Sequence, residues 1–380
     1  MKNIAGLSTT VFCLIMSFSS LAGDTLIFKG QASGWINLNA NIGMPVWIGA
    51  RYIPDANYKL QLSKNRFVDF EASANLSGNA GFHPFDSLSS DATLKAYRLW
   101  ARYSSRQFEL RLGLQKINFG SASVLRPLMW FDQLDPRDPL QLTNGVWALL
   151  GRYYFLNNAN IWLWGLYGNK ETKTWEVAKT ALKTPEFGGR IQIPVLKGEA
   201  AFSCHFRQTD TRMLLDSIQG NSNTPEQRFG LDGKWDIGPG IWFESSWFHK
   251  SRNTGVFTNQ EILTAGTDYT FGIGNGLNVV FEHMIYAYGE KAFDFNERLS
   301  FSGITLSYPL NLNNQLNAVF YHDWTHNTLY NFVNWKHQFN RVALYFMAYW
   351  NPEDYRLPLQ NAKNNLTSGK GIQIMLVFNH

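Results

Sequence analysis

Cysteine is almost missing from this chain. Only Cys13 and Cys204 occur in 380 residues, and Cys13 falls in an apolar stretch near the start. A single remaining cysteine cannot close an internal disulfide, which excludes a small stapled secreted domain; Cys204 reads as a small apolar residue. Charge is sparse too, at 17% of residues with a net +5, and the basic residues are scattered. That excludes nucleic acid as a partner and a polybasic tail. Long apolar runs are missing with one exception. Lys2 precedes an apolar stretch from about Leu7 to Phe18, and Ser20-Leu21-Ala22 offers the small residues at which a signal peptidase cuts. A membrane-spanning helix needs about 20 apolar residues, so residues 1–22 read as a secretory signal peptide, cleaved near Ala22 or Gly23. Cys13 lies within the run rather than at the cut, which argues against a lipoprotein.

What the chain has in abundance is aromatic rings. Phe, Trp and Tyr reach 15% of the residues, yet mean hydropathy stays at −0.23. Many rings without long apolar runs imply alternation, with one strand face apolar and the other polar, as in transmembrane β-strands. Phe108, Leu110, Leu112 and Leu114 oppose Gln107, Glu109, Arg111 and Gln115. Val68, Phe70, Ala72, Ala74 and Leu76 oppose Asp69, Glu71, Ser73 and Asn75 in the same way. From Thr25 onward about 18 segments have the length of a tilted membrane strand. The stretch 40–66, where Pro45 and Pro54 blur the limits, leaves a count of 16 open.

The connections alternate as well. Short turns fall at Ser104-Ser105, Asn157-Asn158, Lys197-Gly198, Gly238-Pro239-Gly240, Gly274-Asn275-Gly276, Asn313-Asn314 and Phe339-Asn340. Between them lie longer links at 78–93, 120–145, 170–185, 210–226, 252–260, 289–298 and 351–368; only the link near Asn327 is short where a long one is due. Tight periplasmic turns and long external loops are the asymmetry of outer-membrane barrels. The expected fold is therefore all-β: residues 23–380 form one antiparallel up-and-down transmembrane barrel in the bacterial outer membrane. Strands begin too soon after the cleavage site to leave room for an N-terminal plug. Lipid and lipopolysaccharide are its implied surroundings. Ile372, Ile374, Leu376 and Phe378 alternate toward the C-terminus, the kind of strand that the outer-membrane assembly machinery recognises, although Asn379 and His380 follow where an aromatic residue usually stands. A homotrimer and an isolated barrel both remain open.

Strand parity assigns the lumen. Arg98, Arg102, Glu109, Arg111, Arg152, Arg190 and Arg207 are the expected pore-lining residues, with Arg51 and Arg228 on the same face. An arginine facing lipid at midplane costs roughly 2–4 kcal/mol, so their shared parity is informative. Two roles stay open for them. They pair with Glu71, Glu109, Glu199 or Asp232 to hold the wall, or Arg98, Arg111 and Arg152 shape the path of a permeating solute, as charge rings do in pores. Segment 120–145, the third external loop, is long for a connection without structure of its own. Its many apolar residues suit a loop folded into the lumen. There Arg126, Asp132, Asp135, Arg137 and Asp138 would set charge across a constriction from the wall arginines. An external cap is the alternative.

Arg111-Leu-Gly113-Leu-Gln115-Lys-Ile-Asn-Phe-Gly120, followed by Arg126-Pro, Phe131-Asp132 and Asp135-Pro136-Arg137-Asp138, resembles the corresponding strand and loop of porin-like outer-membrane barrels. The nearest kinds are the alginate-export-type and phosphate-selective-type porins. The resemblance is close over this strand and loop and architectural elsewhere. It implies a glycine-ended strand leading into an infolded loop. The lysine-rich loop ladder of a phosphate-selective channel is missing, so that selectivity is not implied.

Catalysis finds little support. No G-x-S-x-G elbow occurs, and Gly272-Ile-Gly-Asn-Gly276 reads as a hairpin turn because no helix follows it. The best constellation is His322-Asp323-Trp-Thr-His326. On a strand His322 and Asp323 point to opposite faces and cannot share a metal or a nucleophile. No cofactor, catalytic residue or metal site is expected. The sequence thus predicts a diffusion channel for small polar or anionic solutes. Two alternatives stand beside it: a dedicated channel for acidic saccharides or other organic anions, and a non-transport barrel such as a surface lipase-type enzyme or an adhesin.

Overall fold

The structure, a computed structural model, describes residues 25–40, 44–83, 88–212, 222–353 and 366–380. The signal segment 1–22 lies outside them, as do parts of the links at 78–93, 210–226 and 351–368. The strands are β1 (Thr25–Asn39), β2 (Val46–Ser63), β3 (Arg66–Phe82), β4 (Leu88–Ser104), β5 (Phe108–Gln115) and β6 (Val146–Tyr154). They continue with β7 (Asn160–Leu166), β8 (Lys179–Thr180), β9 (Glu186–Val195), β10 (Gly198–Asp210), β11 (Thr224–Asp236), β12 (Gly240–Lys250) and β13 (Asn259–Phe271). The last six are β14 (Leu277–Gly289), β15 (Arg298–Pro309), β16 (Asn314–Asp323), β17 (Thr328–Gln338), β18 (Val342–Trp350) and β19 (Lys370–Asn379).

Apart from the short β8, each strand pairs antiparallel with its neighbours in sequence, β7 pairing directly with β9, and β1 pairs with β19 from Gln31↔Asn379 to Asn39↔Gly371. The sheet thereby closes and has no free edge, the condition for strands that cross lipid. Both β8 and β9 pair with β10, at Thr209–Asp210 and at Gly198–Phe206 respectively. They are two pieces of one interrupted stave, so nineteen segments make a barrel of 18 staves.

The alternation has the physical meaning that the sequence implied. Leu110, Leu112, Leu149, Ile191, Phe202, Leu231, Ile374 and Leu376 are exposed on the outside, while Arg98, Glu109, Arg190, Arg207 and Asp232 on the other parity are buried inside. An outward belt of exposed aliphatic and aromatic side chains is unstable in water and stable against lipid.

Two boundaries differ from the sequence reading, and the stretch it left open is resolved in favour of 18 strands. Pairing of β3 with β4 runs up to Phe82↔Leu88, so most of the stretch 78–93 is strand rather than loop. Strand β5 stops at Gln115, which lengthens the third loop to residues 116–145. Strand β2 passes through Pro54, which pairs with Gly30 of β1, while the β2–β3 ladder skips Ile53 and Pro54. Proline lacks the N–H that a full ladder needs, and only this local gap results, so the count is 18 rather than 16. In β4 the register shifts opposite Ser73/Ala74, leaving Tyr97 as a bulge residue. Such a bulge reverses side-chain parity along a strand.

Candidate functional site

The third loop enters the barrel. Ile117, Phe119, Ala122, Val124, Leu125, Leu128, Met129, Trp130 and Phe131 are all at most 6% exposed, burial that an external cap would not provide. The loop crosses the lumen and docks on staves β11 to β15. Glu282 of β14 accepts the backbone N–H groups of Ser123 (2.7 Å), Val124 (3.0 Å) and Leu125, together with the Ser123 hydroxyl and Trp242 Nε1. Glu244 of β12 accepts those of Ala122 (2.8 Å) and Leu128. Trp130 Nε1 donates to Ser246 Oγ at 2.8 Å. Two inward carboxylates thus hold five loop N–H groups that would otherwise be buried without acceptors.

The sequence reading missed both glutamates. Their signal was present but indirect. Glu244 stands opposite Asp232 and Thr264, and Glu282 opposite Gly266 and Gly303, so neither has a basic cross-strand partner. Gly303 leaves space that the loop fills with Val124, while Gly266 leaves space for the Trp242 ring beside Glu282.

The signature residues of the β5–loop segment now have structural explanations. Gly113 has φ +124°, and a Cβ there would lie 2.1 Å from the Leu99 carbonyl oxygen. Gly120 has φ +104° and presses against the Glu244 carboxylate. Only glycine accepts both the backbone and the approach. Gln115, fully buried, donates to the carbonyls of Arg111 (3.2 Å) and Ala148 (2.9 Å) and ties the end of β5 to β6.

The five predicted loop charges largely shape the loop itself. Arg126 donates to Asn118 Oδ1 and the Phe119 carbonyl and lies 4.0 Å from Asp132. Arg137 grips Asp135 with two parallel bonds of 2.9 and 2.8 Å. Asp138 accepts the N–H groups of Leu140 (2.9 Å) and Leu142 (3.1 Å). Burial pushes the Asp132 carboxyl above the usual range, against the pull of Arg126 and Lys116. Burial likewise raises Asp138, opposed by its two backbone N–H bonds and by Arg51 of β2. Asp135 and Asp138 stay half-buried, and Asp138 is the loop acid within electrostatic reach of Arg51.

A second loop, residues 167–185, also packs into the barrel, which the sequence reading did not foresee. Trp175 Nε1 donates to the Arg126 carbonyl at 2.8 Å, and Glu176 pairs with Arg207 (3.0 Å) and Arg228 (2.7 Å). Glu226 joins the same network through Arg207, Arg228 and Lys250. Arg190 is bound by Asp232 at 2.6 and 2.9 Å. Arg190 and Arg207 are at most 4% exposed; Arg207 ties wall to loop through Glu176, while Arg190 binds wall residues and lies under the Phe119 ring at 5.2 Å.

Arg98, Arg102, Arg111 and Arg152 occupy β4 to β6. Arg102 forms a fork with Asp69 (2.9 and 2.6 Å), a partner not anticipated from sequence. Glu109 lies 3.5, 3.1 and 3.6 Å from Arg102, Arg111 and Arg152. Arg98 donates to the carbonyl and hydroxyl of Thr143, both at 3.0 Å, and so fixes the return of the loop into β6. Glu71 lies in electrostatic range of Arg98 and Arg111. The Trp100 ring faces Arg111 at 4.7 Å and the Trp162 ring faces Arg152 at 3.8 Å, contacts that keep guanidinium planes in place. With Arg51 and Asp55 of β2 on the same inward face, five guanidiniums stand against four carboxylates, Asp55, Asp69, Glu71 and Glu109, and the wall keeps a small positive excess.

The remaining candidates are turn chemistry. His322 lies on the outer face beside the Trp324 ring, at 4.2 Å. Asp323 points inward and accepts the Thr325 and His326 N–H groups and His326 Nδ1. Among the described residues no three His, Cys, Asp or Glu side chains converge on a metal-sized site.

Solved structures of bacterial outer-membrane proteins share this architecture. OccAB1 of Acinetobacter baumannii superposes with a TM-score of 0.56 over 94% of this chain and 96% of its own, at 7% identity. The fold is that of an outer-membrane porin. OccAB4 of the same organism gives 0.52 over 95% and 98%, at 10% identity. Its outer membrane channel DcaP gives 0.50 over 96% and 99%, at 12% identity. No protein-family model and no curated protein sequence matches the chain.

Proposed function

We propose that the chain is a channel of the bacterial outer membrane through which small polar solutes diffuse, with a preference for anions. The observation that carries this reading is the closed 18-stave barrel narrowed by its own third loop, facing a wall that holds five arginines against four carboxylates. Fixed charge on one side of a narrow, low-dielectric passage concentrates counter-ions and orients polar solutes crossing it. The positive excess also favours the narrower reading of a channel serving organic anions, acidic saccharides among them. The apolar outer belt supports insertion in lipid, with the short turns toward the periplasm.

Planar-bilayer recording tests the proposal. The refolded protein gives stepwise ohmic currents with a reversal potential displaced toward the chloride value. Joint replacement Arg98→Gln, Arg111→Gln and Arg152→Gln moves it toward the potassium value. A folded barrel without conductance refutes the channel reading. An unchanged reversal potential in the triple variant removes the role of these arginines.

A further inference from the structure

At the short-turn end of the barrel, the β2–β3 and β4–β5 hairpins border an open cavity of about 580 Å³ lined by the exposed Lys59, Gln61, Lys64, Asn65 and Arg106 and the half-buried Phe67. We propose that it is a subsite for a small multivalent oxyanion, a polycarboxylate or phosphate, on the periplasmic mouth of the channel. The proposal deepens the channel reading and rests on it for the direction of traffic.

Charge balance is the first argument. Beside the cavity Asp69, opposite Lys59 in the β2–β3 ladder, is already held by Arg102, and higher in the lumen Arg111 and Arg152 share Glu109. The cavity holds three cations and no carboxylate in its lining. An anion arriving there does not have to displace an internal acid. The second argument is position. Lys59, Gln61 and Phe67 share the inward parity of Arg51 and Asp69, so the cavity opens on the lumen rather than on lipid. That favours a soluble anion over a lipid headgroup. The third is construction. Lys59 Nζ stands 4.2 Å from the centre of the Phe67 ring, and the Arg102 guanidinium 5.7 Å from it. Gln61 donates to the Ser63 and Arg66 carbonyls and stiffens the turn that carries Lys64. The volume falls in the range of small-molecule sites, about 300–1,000 Å³. Each exposed cation contributes little alone, so a useful ligand must carry several negative charges.

Citrate and inorganic phosphate are the probes, with the whole refolded barrel in detergent for calorimetry and in bilayers for current. Citrate is expected to bind with an affinity on the order of millimolar and to block chloride current from the turn side. The triple variant Lys59→Gln, Lys64→Gln and Arg106→Gln weakens binding roughly tenfold or more, equivalent to about 1.4 kcal/mol. A control, Lys197→Gln with Arg341→Gln at other turns, leaves it unchanged. Heat-dependent gel migration confirms that each variant is folded. Equal citrate affinity in the triple variant, or no citrate or phosphate binding by the native barrel at millimolar concentration, overturns the proposal. Anionic vesicles that compete away citrate would reassign the cavity to lipid headgroups and overturn it equally. Binding without conductance would sink the channel reading and leave the subsite standing.

Discussion

Asp138 illustrates how one side chain serves both shape and charge. Its carboxylate closes a turn through Leu140 and Leu142, and burial holds its pKa above the ordinary aspartate value even though Arg51 opposes the shift. Acidification therefore protonates it before an exposed aspartate, whose ordinary pKa is about 3.9. Loss of that negative charge leaves Arg51 less screened. Anion preference is expected to rise as pH falls toward the aspartate range, read as the reversal potential at successive pH values, and Asp138→Asn should remove part of the change, the rest falling to Asp132. A shift of the same size in Asp138→Asn would assign it to another group. At this scale the sequence disclosed which loop residues carry charge. It did not disclose that Arg137 is bound by Asp135, or Arg126 by Asn118 and Phe119, because those contacts depend on the loop's own turns.

Among the elements, the third loop owes its position to strands far from it in sequence. Its apolar residues fit the lumen, but they do not say where it docks; Glu244 and Glu282 do. Hydrogen bonds to a charged acceptor are worth about 1.5–3 kcal/mol each, so removing one carboxylate outweighs most single side-chain contacts. Glu282→Ala is expected to free the loop tip, giving larger and noisier single-channel conductance. The strand ladders remain intact, so the heat stability of the barrel should change little. Conductance equal to that of the native protein would show that Glu244 and the apolar contacts suffice. The loop's inward course was legible from its composition and from the glycines of the β5 signature. Its anchors were not, since an inward glutamate without a basic neighbour reads as an ordinary pore-facing acid until the loop is seen against it. The second loop was hidden for the same reason: Trp175 and Glu176 meet partners on β10, β11 and the third loop, none of them adjacent in sequence.

For the molecule as a whole, stability depends on two faces of one closed sheet. Ile374 of β19 points outward at mid-strand between Ile36 and Phe346, while neighbouring Gln373 points inward and accepts from Asn37. Ile374→Arg is expected to destabilise the barrel in lipid by roughly 2–4 kcal/mol, with Gln373→Arg costing much less; urea unfolding in vesicles measures both. Similar costs at the two positions would contradict the assignment of faces. The alternation of apolar and polar residues, with short turns between, was enough to determine an all-β barrel, its inner and outer faces and the residues of the wall. These properties follow from strand geometry, where each residue's side is set by its immediate neighbours. Only the tertiary structure decided the register in which β19 meets β1, the course of β2 through Pro54, and which arginines lie beneath the infolded loops. Those outcomes depend on residues brought together across the ring, and local alternation carries no record of such meetings.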